Sequence, residues 1–188
     1  MASQRLSLQR TDVREYLNIR EKVDLEFDRL FEKHRAHMAC SEGCHDCCAP
    51  ELSVTRVEAD QIKSYLAEHP RLVERLQALS IEDPHGGARC SLLDAEGRCS
   101  IYDVRPLICR SHGAPVLVQI DEKREGLDSC PKNFQRGMSM LEVGDWINIE
   151  TLNTMTALID WRYALDQGRE KPDPEHDRVG LNIEELLS

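Results

Sequence analysis

At 188 residues, with 24 Lys plus Arg against 34 Asp plus Glu, the chain carries a formal charge of −10. That excludes a general binder of nucleic-acid backbones, which needs a basic face, and the length suits one domain that buries its own core. No stretch approaches the ~18 uncharged apolar residues of a membrane span, and Met1 to Arg10 lacks the apolar run of a secretory signal, so the expected compartment is the cytosol.

The first element expected is a helix from about Thr11 to Ala39, because Tyr16, Ile19, Val23, Phe27, Leu30 and His34 recur at helical spacing among charges. It delivers the chain to Cys40-Ser-Glu-Gly-Cys44-His-Asp-Cys47-Cys48, four thiols within nine residues, with Gly43 freeing the backbone to turn. His34 reads as a core histidine, and His45 as solvent-facing or supporting the thiols from behind. Thr55-Arg-Val-Glu58 has the form of a capping box and predicts a helix through Ile62, Tyr65 and Leu66 to His69. Pro70 then suits the first turn of a short helix over 71–79, with Leu72, Val73, Leu76 and Leu79 inward.

Residues 80–89, with Pro84 and Gly86-Gly87, read as a loop. Cys90-Ser-Leu-Leu and Cys99-Ser-Ile-Tyr102 flank a turn at Gly97 and predict a small hairpin, marginal unless something fixes it. Pro106 is placed to begin a helical turn carrying Cys109, with Asp103 or a neighbour near its cap and Arg105 and Arg110 bracketing the thiol. Residues 114–120 read as a strand, Asp121 to Gly126 as a charged turn, and Cys130-Pro131 brings in the last cysteine. A helix over 145–165 is expected to turn Ile149, Leu152, Met155, Ile159 and Tyr163 inward, followed by a linker over 167–179 and a short terminal helix over 181–187. The organisation expected is a leading helix over 1–39, a cysteine-rich core over 40–130, a closing helical segment over 131–166, and a linker with terminal helix over 167–188. The fold class is α+β, mainly helical, with helices around a small cysteine-rich hairpin and loop.

Cytosolic thiols are held reduced, so the eight cysteines are expected to bind metal rather than to pair as disulfides. All of them, Cys40, Cys44, Cys47, Cys48, Cys90, Cys99, Cys109 and Cys130, are candidate ligands. Eight thiolates suffice for two tetrahedral zinc ions, and equally for one four-cysteine iron-sulfur cluster with thiols to spare. Cys47 and Cys48 are expected to serve different places, because adjacent side chains diverge. A radical S-adenosylmethionine enzyme is disfavoured because the C-x3-C-x2-C loop follows a long helix and the chain lacks the repeated strand-helix units of a barrel. A hydrolytic zinc site is disfavoured by an all-thiol donor set, and a Cys109–His112 nucleophile pair by the clustering of the cysteines.

Taken together, C-x3-C-x2-C-C, Cys90, Cys99-Ser-Ile-Tyr102, Arg105-Pro106-x-x-Cys109-Arg110 and Cys130-Pro131 resemble the YkgJ-type cysteine-cluster family, whose CxxCxxCC domain is described as chelating zinc or iron. The resemblance spans roughly Cys40 to Cys130. The gap from Cys40 to Cys44 holds three residues where the family's name has two. What it implies is a metal site of zinc or an iron-sulfur cluster with no assigned reaction, the alternatives being electron transfer, redox sensing or an accessory role to a protein-modifying enzyme. A flagellin lysine N-methylase carries a similar cysteine domain, but no Gly-rich loop after a strand is present here to hold a methyl donor. The partner expected is a metal ion or cluster, with no nucleic acid and no membrane.

Overall fold

In the computed structural model, residues 11–48, 52–82, 89–174 and 176–188 are described. The expected first helix is present as α1, Thr11–Lys33, and buries Tyr16, Ile19, Val23 and Leu30 on one stripe while its charges face water. It ends at Lys33 rather than Ala39, and a 3-10 turn over Arg35–His37 carries the chain on. His34, buried as expected, stands with its Nε2 3.1 Å from Asp145 Oδ2.

A two-residue strand β1, Ser53–Val54, leads into α2, Arg56–Glu68, and α3, Pro70–Glu82. The capping box forms: Glu58 Oε2 accepts from the Thr55 amide at 3.0 Å and the Thr55 hydroxyl at 2.8 Å. Glu58 does more than the sequence announces, because its other oxygen accepts the Leu107 amide at 2.9 Å. It thus also caps α4, Leu107–Ser111, which begins directly after Pro106. The cap of that helix therefore comes from a buried carboxylate on α2 and not from Asp103. α3 runs to Glu82, past the expected end at Leu79, and the Pro84 and Gly86-Gly87 part of the expected loop lies outside the described residues.

Strands β2, Val116–Asp121, and β3, Arg124–Asp128, form an antiparallel pair. Gly126 and its charged neighbours, expected as a turn, belong to β3. β4, Ile147–Asn148, joins β2 in parallel and gives the sheet order β3-β2-β4. α5 spans Ile149–Asp166 and is capped by Asn148, whose side chain accepts from the Thr151 amide. Leu152, Ile159 and Tyr163 turn inward as expected, but Met155 is exposed and Thr156 takes the inward position, with its hydroxyl satisfied by the Leu152 carbonyl. Strand β5, Val179–Gly180, pairs with β1, and α6, Ile183–Leu187, docks through Ile183 and Leu186. The end of the expected linker is thereby tied down, by Arg178 on Ser53 and by an Arg56–Asp177 ion pair.

Two apolar clusters result. One joins α1, α4 and α5 through residues such as Tyr16, Leu30, Leu107 and Ile159. The other joins α2, α3 and α6 with Leu92 and Ile101, and Cys90, Cys99 and Cys109 pack against it. The architecture is mainly helical α+β, with six helices and small sheets among the described residues. No helix among the described residues is long and apolar enough to cross a membrane.

Candidate metal centre

All eight cysteines are unpaired, and all eight line one cavity of about 750 Å³ between α1, α4 and the loops that join them. Three irregular segments and the short helix α4 deliver them. Cys40 to Cys48 lie on the loop after α1, where the Cys44 and Cys48 amides close turns on the Ser41 and His45 carbonyls and Gly43 takes a φ of +81°. His45 stays with its own loop, its Nδ1 3.0 Å from the Gly43 carbonyl oxygen, and packs on the Gly97 turn.

Cys90 and Cys99 stand on either side of a tight reversal. The expected hairpin is reduced to a single antiparallel bridge, Leu93 to Cys99, because Asp94 folds back on its own turn and accepts from the Glu96 and Arg98 amides. Both thiols receive a backbone hydrogen bond from the residue two positions on, Leu92 for Cys90 and Ile101 for Cys99. Such donors favour the thiolate and work against burial, which pushes both thiols up. Burial and the neighbouring Cys99 and Cys90 push Cys109, on α4, further in the same direction.

The arginines that bracket Cys109 turn mainly to α1. Arg110 is buried, pairs with Asp24 and donates to the Arg105 and Asp103 carbonyls at 2.7 Å each. Arg105 lies 4.0 Å over the Tyr102 ring and 3.7 Å from Asp24, and its buried Nε has no hydrogen-bond partner among the described residues. Both guanidinium groups act on Cys99 at a distance and favour its charged form.

Cys130 is brought in by the segment after β3. Asn133, which belongs to no sequence motif, makes the closing contacts there. Its Nδ2 donates to the Gly113 carbonyl at 2.7 Å and to Cys40 Sγ at 3.3 Å, its Oδ1 accepts the Ala39 amide at 2.7 Å, and its own amide bonds the Cys130 carbonyl. The only signal available was an amide side chain three positions after Cys130. Lys132 adds a 2.5 Å ion pair to Asp46 on the first loop.

The thiols of Cys47 and Cys48 touch rather than diverge. They share a hydrogen bond that holds Cys47 well below its ordinary value, with His112 as a further donor to Cys47, and pushes Cys48 well above. His112 therefore meets Cys47. As placed, no three of the described His, Cys, Asp or Glu side chains are close enough to enclose one ion. The donor set fits a thiophilic metal in kind and number, since soft thiolates suit zinc and iron-sulfur clusters, and binding would draw the thiols inward across the shared cavity. A second cavity of about 720 Å³, on the α5 side of α4, has no cysteine in its lining.

A family model described as "CxxCxxCC: Putative zinc- or iron-chelating domain" matches residues 39–131. No curated protein and no solved structure matches the chain.

Proposed function

From the match of residues 39–131 to the CxxCxxCC family model we propose that the chain is a cytosolic protein that chelates metal through its eight cysteines, with a structural zinc centre as the first reading. The observation that carries this is the convergence of eight unpaired thiols from four separate segments, three of them irregular, on one cavity. Those segments share few backbone hydrogen bonds, and a bound ion would cross-link them. In small zinc fingers such binding supplies about 10–16 kcal/mol at neutral pH, comparable with the whole stability of a domain. A structural role is therefore sufficient, and the reading requires no reaction.

The charges around the thiols support the same reading. Four thiolates around a divalent ion leave a net negative site. Arg105, with its unpartnered Nε, lines the cavity, and Lys132 lies close to Cys44 and Cys130. The backbone donors to Cys90 and Cys99 and the Asn133 donor to Cys40 also suit sulfur that carries charge.

The same donors favour a second reading, an iron-sulfur centre used in electron transfer or sensing, because hydrogen bonds to sulfur and nearby charge tune a cluster's potential. Elemental analysis and an absorption spectrum of protein purified without oxygen and without a metal-binding tag separate the two. Colourless protein with near-stoichiometric zinc supports the structural reading. Brown protein with iron and acid-labile sulfide supports the second, and protein free of metal from every preparation refutes both.

A further inference from the structure

We infer that the eight thiols form two separate four-thiol sites, Cys40, Cys44, Cys47 and Cys130 in one and Cys48, Cys90, Cys99 and Cys109 in the other, with the Cys47–Cys48 peptide bond as the boundary. The inference rests on the metal-chelating reading above and adds to it the number of sites and the membership of each.

The first set is assembled by contacts between the loop after α1 and the segment after β3. Asn133, whose own amide donates to the Cys130 carbonyl, ties Ala39, Cys40 and Gly113 to that segment, and the Lys132–Asp46 ion pair clamps the same segment beside Cys44 and Cys47. The charged neighbours that Cys40 senses are Cys130, Cys44 and Cys47. Lys132 senses Cys44 and Cys130.

The second set belongs to the other side of the cavity. Cys90, Cys99 and Cys109 pack against the apolar cluster of α2, α3 and α6, which none of the other five thiols joins. The Cys90 amide donates to the Cys48 carbonyl at 3.3 Å, so the end of the first loop is stitched to the reversal that carries Cys90 and Cys99. Cys48 lies beside Cys47 and within reach of the charges of Cys90 and Cys109, and Cys109 lies within reach of those of Cys99, Cys90 and, least of the three, Cys47. Tetrahedral thiolate sites take four ligands, so eight thiols divided in this way leave none over.

The competing arrangement is a single polynuclear centre, to which the contact between Cys47 and Cys48 would be internal. The experiment uses the full chain reconstituted with zinc(II), stripped stepwise by a chelator, alkylated at each step and read by mass spectrometry. The intact protein is expected to bind two zinc ions and to pass through a one-zinc species in which the labelled cysteines are one set of four and the protected cysteines the other. Cys44→Ser is expected to keep one zinc and protect Cys48, Cys90, Cys99 and Cys109; Cys99→Ser is expected to keep one and protect Cys40, Cys44, Cys47 and Cys130. Labels mixed between the sets in the one-zinc species, release of both ions in one step, or a total of one zinc overturns the two-site assignment while leaving chelation intact. A chain that takes up no zinc and leaves every thiol open to alkylation overturns the chelating reading and this inference together. If a variant does not fold, the stepwise stripping of the intact chain decides alone.

Discussion

Glu58 accepts the amide hydrogen of Leu107 at 2.9 Å, and this one contact connects the start of α2 to the start of the helix that carries Cys109. The carboxylate is buried and spends its other oxygen on Thr55, so it satisfies the first turns of two helices at once. Substitution Glu58→Ala leaves these donors unsatisfied in a buried place. The expected cost is about 2–4 kcal/mol, roughly one lost cap at each helix. Glu58→Gln, which keeps an acceptor, is expected to cost less than half of that. Urea denaturation of the three proteins tests the ranking; equal midpoints for Ala and Gln would remove the capping explanation.

Asp145 gives the fold its acid sensitivity. Burial by itself would raise its pKa, but hydrogen bonds from Lys33, the Glu142 amide and His34 outweigh burial and hold the carboxyl well below the usual carboxylate range. Because the folded value is the lower one, the stabilisation is fully present above the unfolded Asp value of about 3.9 and is lost as pH falls through the folded value. Asp145→Asn is expected to lose about 1–3 kcal/mol at pH 7. The gap between variant and parent should narrow on acidification below about pH 4, where the parent begins to lose the same contribution. Denaturation midpoints measured from pH 7 to pH 3 check this. A gap independent of pH would assign the loss to packing instead.

The legibility of these features follows the range of the interactions that make them. Thr55 and Glu58 are three residues apart, so the cap of α2 was readable locally; the bond from Glu58 to Leu107 crosses 49 residues and was not. His34 is readable as buried from its place on an apolar stripe, but its neighbour Asp145 reads as the start of a helix that in fact begins at Ile149. β3 is not legible locally, because Arg124 and Glu125 look like turn residues and the strand depends on pairing with β2. Spacing alone points Met155 inward, whereas Thr156, able to bond the Leu152 carbonyl, occupies the buried position. The cysteines could be singled out as candidates because their chemistry is rare. Asn133, an ordinary residue, became visible only through its contacts.

Gly113 is required by two independent demands. Its φ is +94°, a region that side chains oppose, and a Cβ there would stand 2.7 Å from Cys40 Sγ. Gly113→Ala is expected to destabilise the fold by about 1–3 kcal/mol and to displace the Cys40 thiol. The readout that separates strain from general loosening is the alkylation rate of individual thiols in metal-free protein, with Cys40 rising more than Cys109. A uniform rise at both would mean that the substitution acts globally.

Chelation is expected to act unevenly on the two apolar clusters. The cluster of α1, α4 and α5 contains no cysteine, while the cluster of α2, α3 and α6 is flanked by Cys90, Cys99 and Cys109. Metal removal should therefore raise hydrogen exchange most in residues 89–111 and least in α1 and α5. Far-UV dichroism should fall only in part. Complete retention of protection in residues 89–111 would argue against a structural role for the metal.

Asn133 supplies the most discriminating substitution at the first thiol group. Asn133→Asp can keep the Oδ1 acceptor for the Ala39 amide, but it removes the donor to Gly113 and Cys40 and sets a carboxylate beside a thiol that burial already pushes up. A like charge disfavours the thiolate further, so Cys40 should hold a metal less well as pH falls toward 6, with stability reduced by about 1–3 kcal/mol at pH 7. Asn133→Ala removes all three contacts but adds no charge, so its loss of metal should depend less on pH. Metal retained per chain across pH 6 to 8 for both variants separates the electrostatic contribution from the structural one, and parallel curves would show that Asn133 acts only as a clamp.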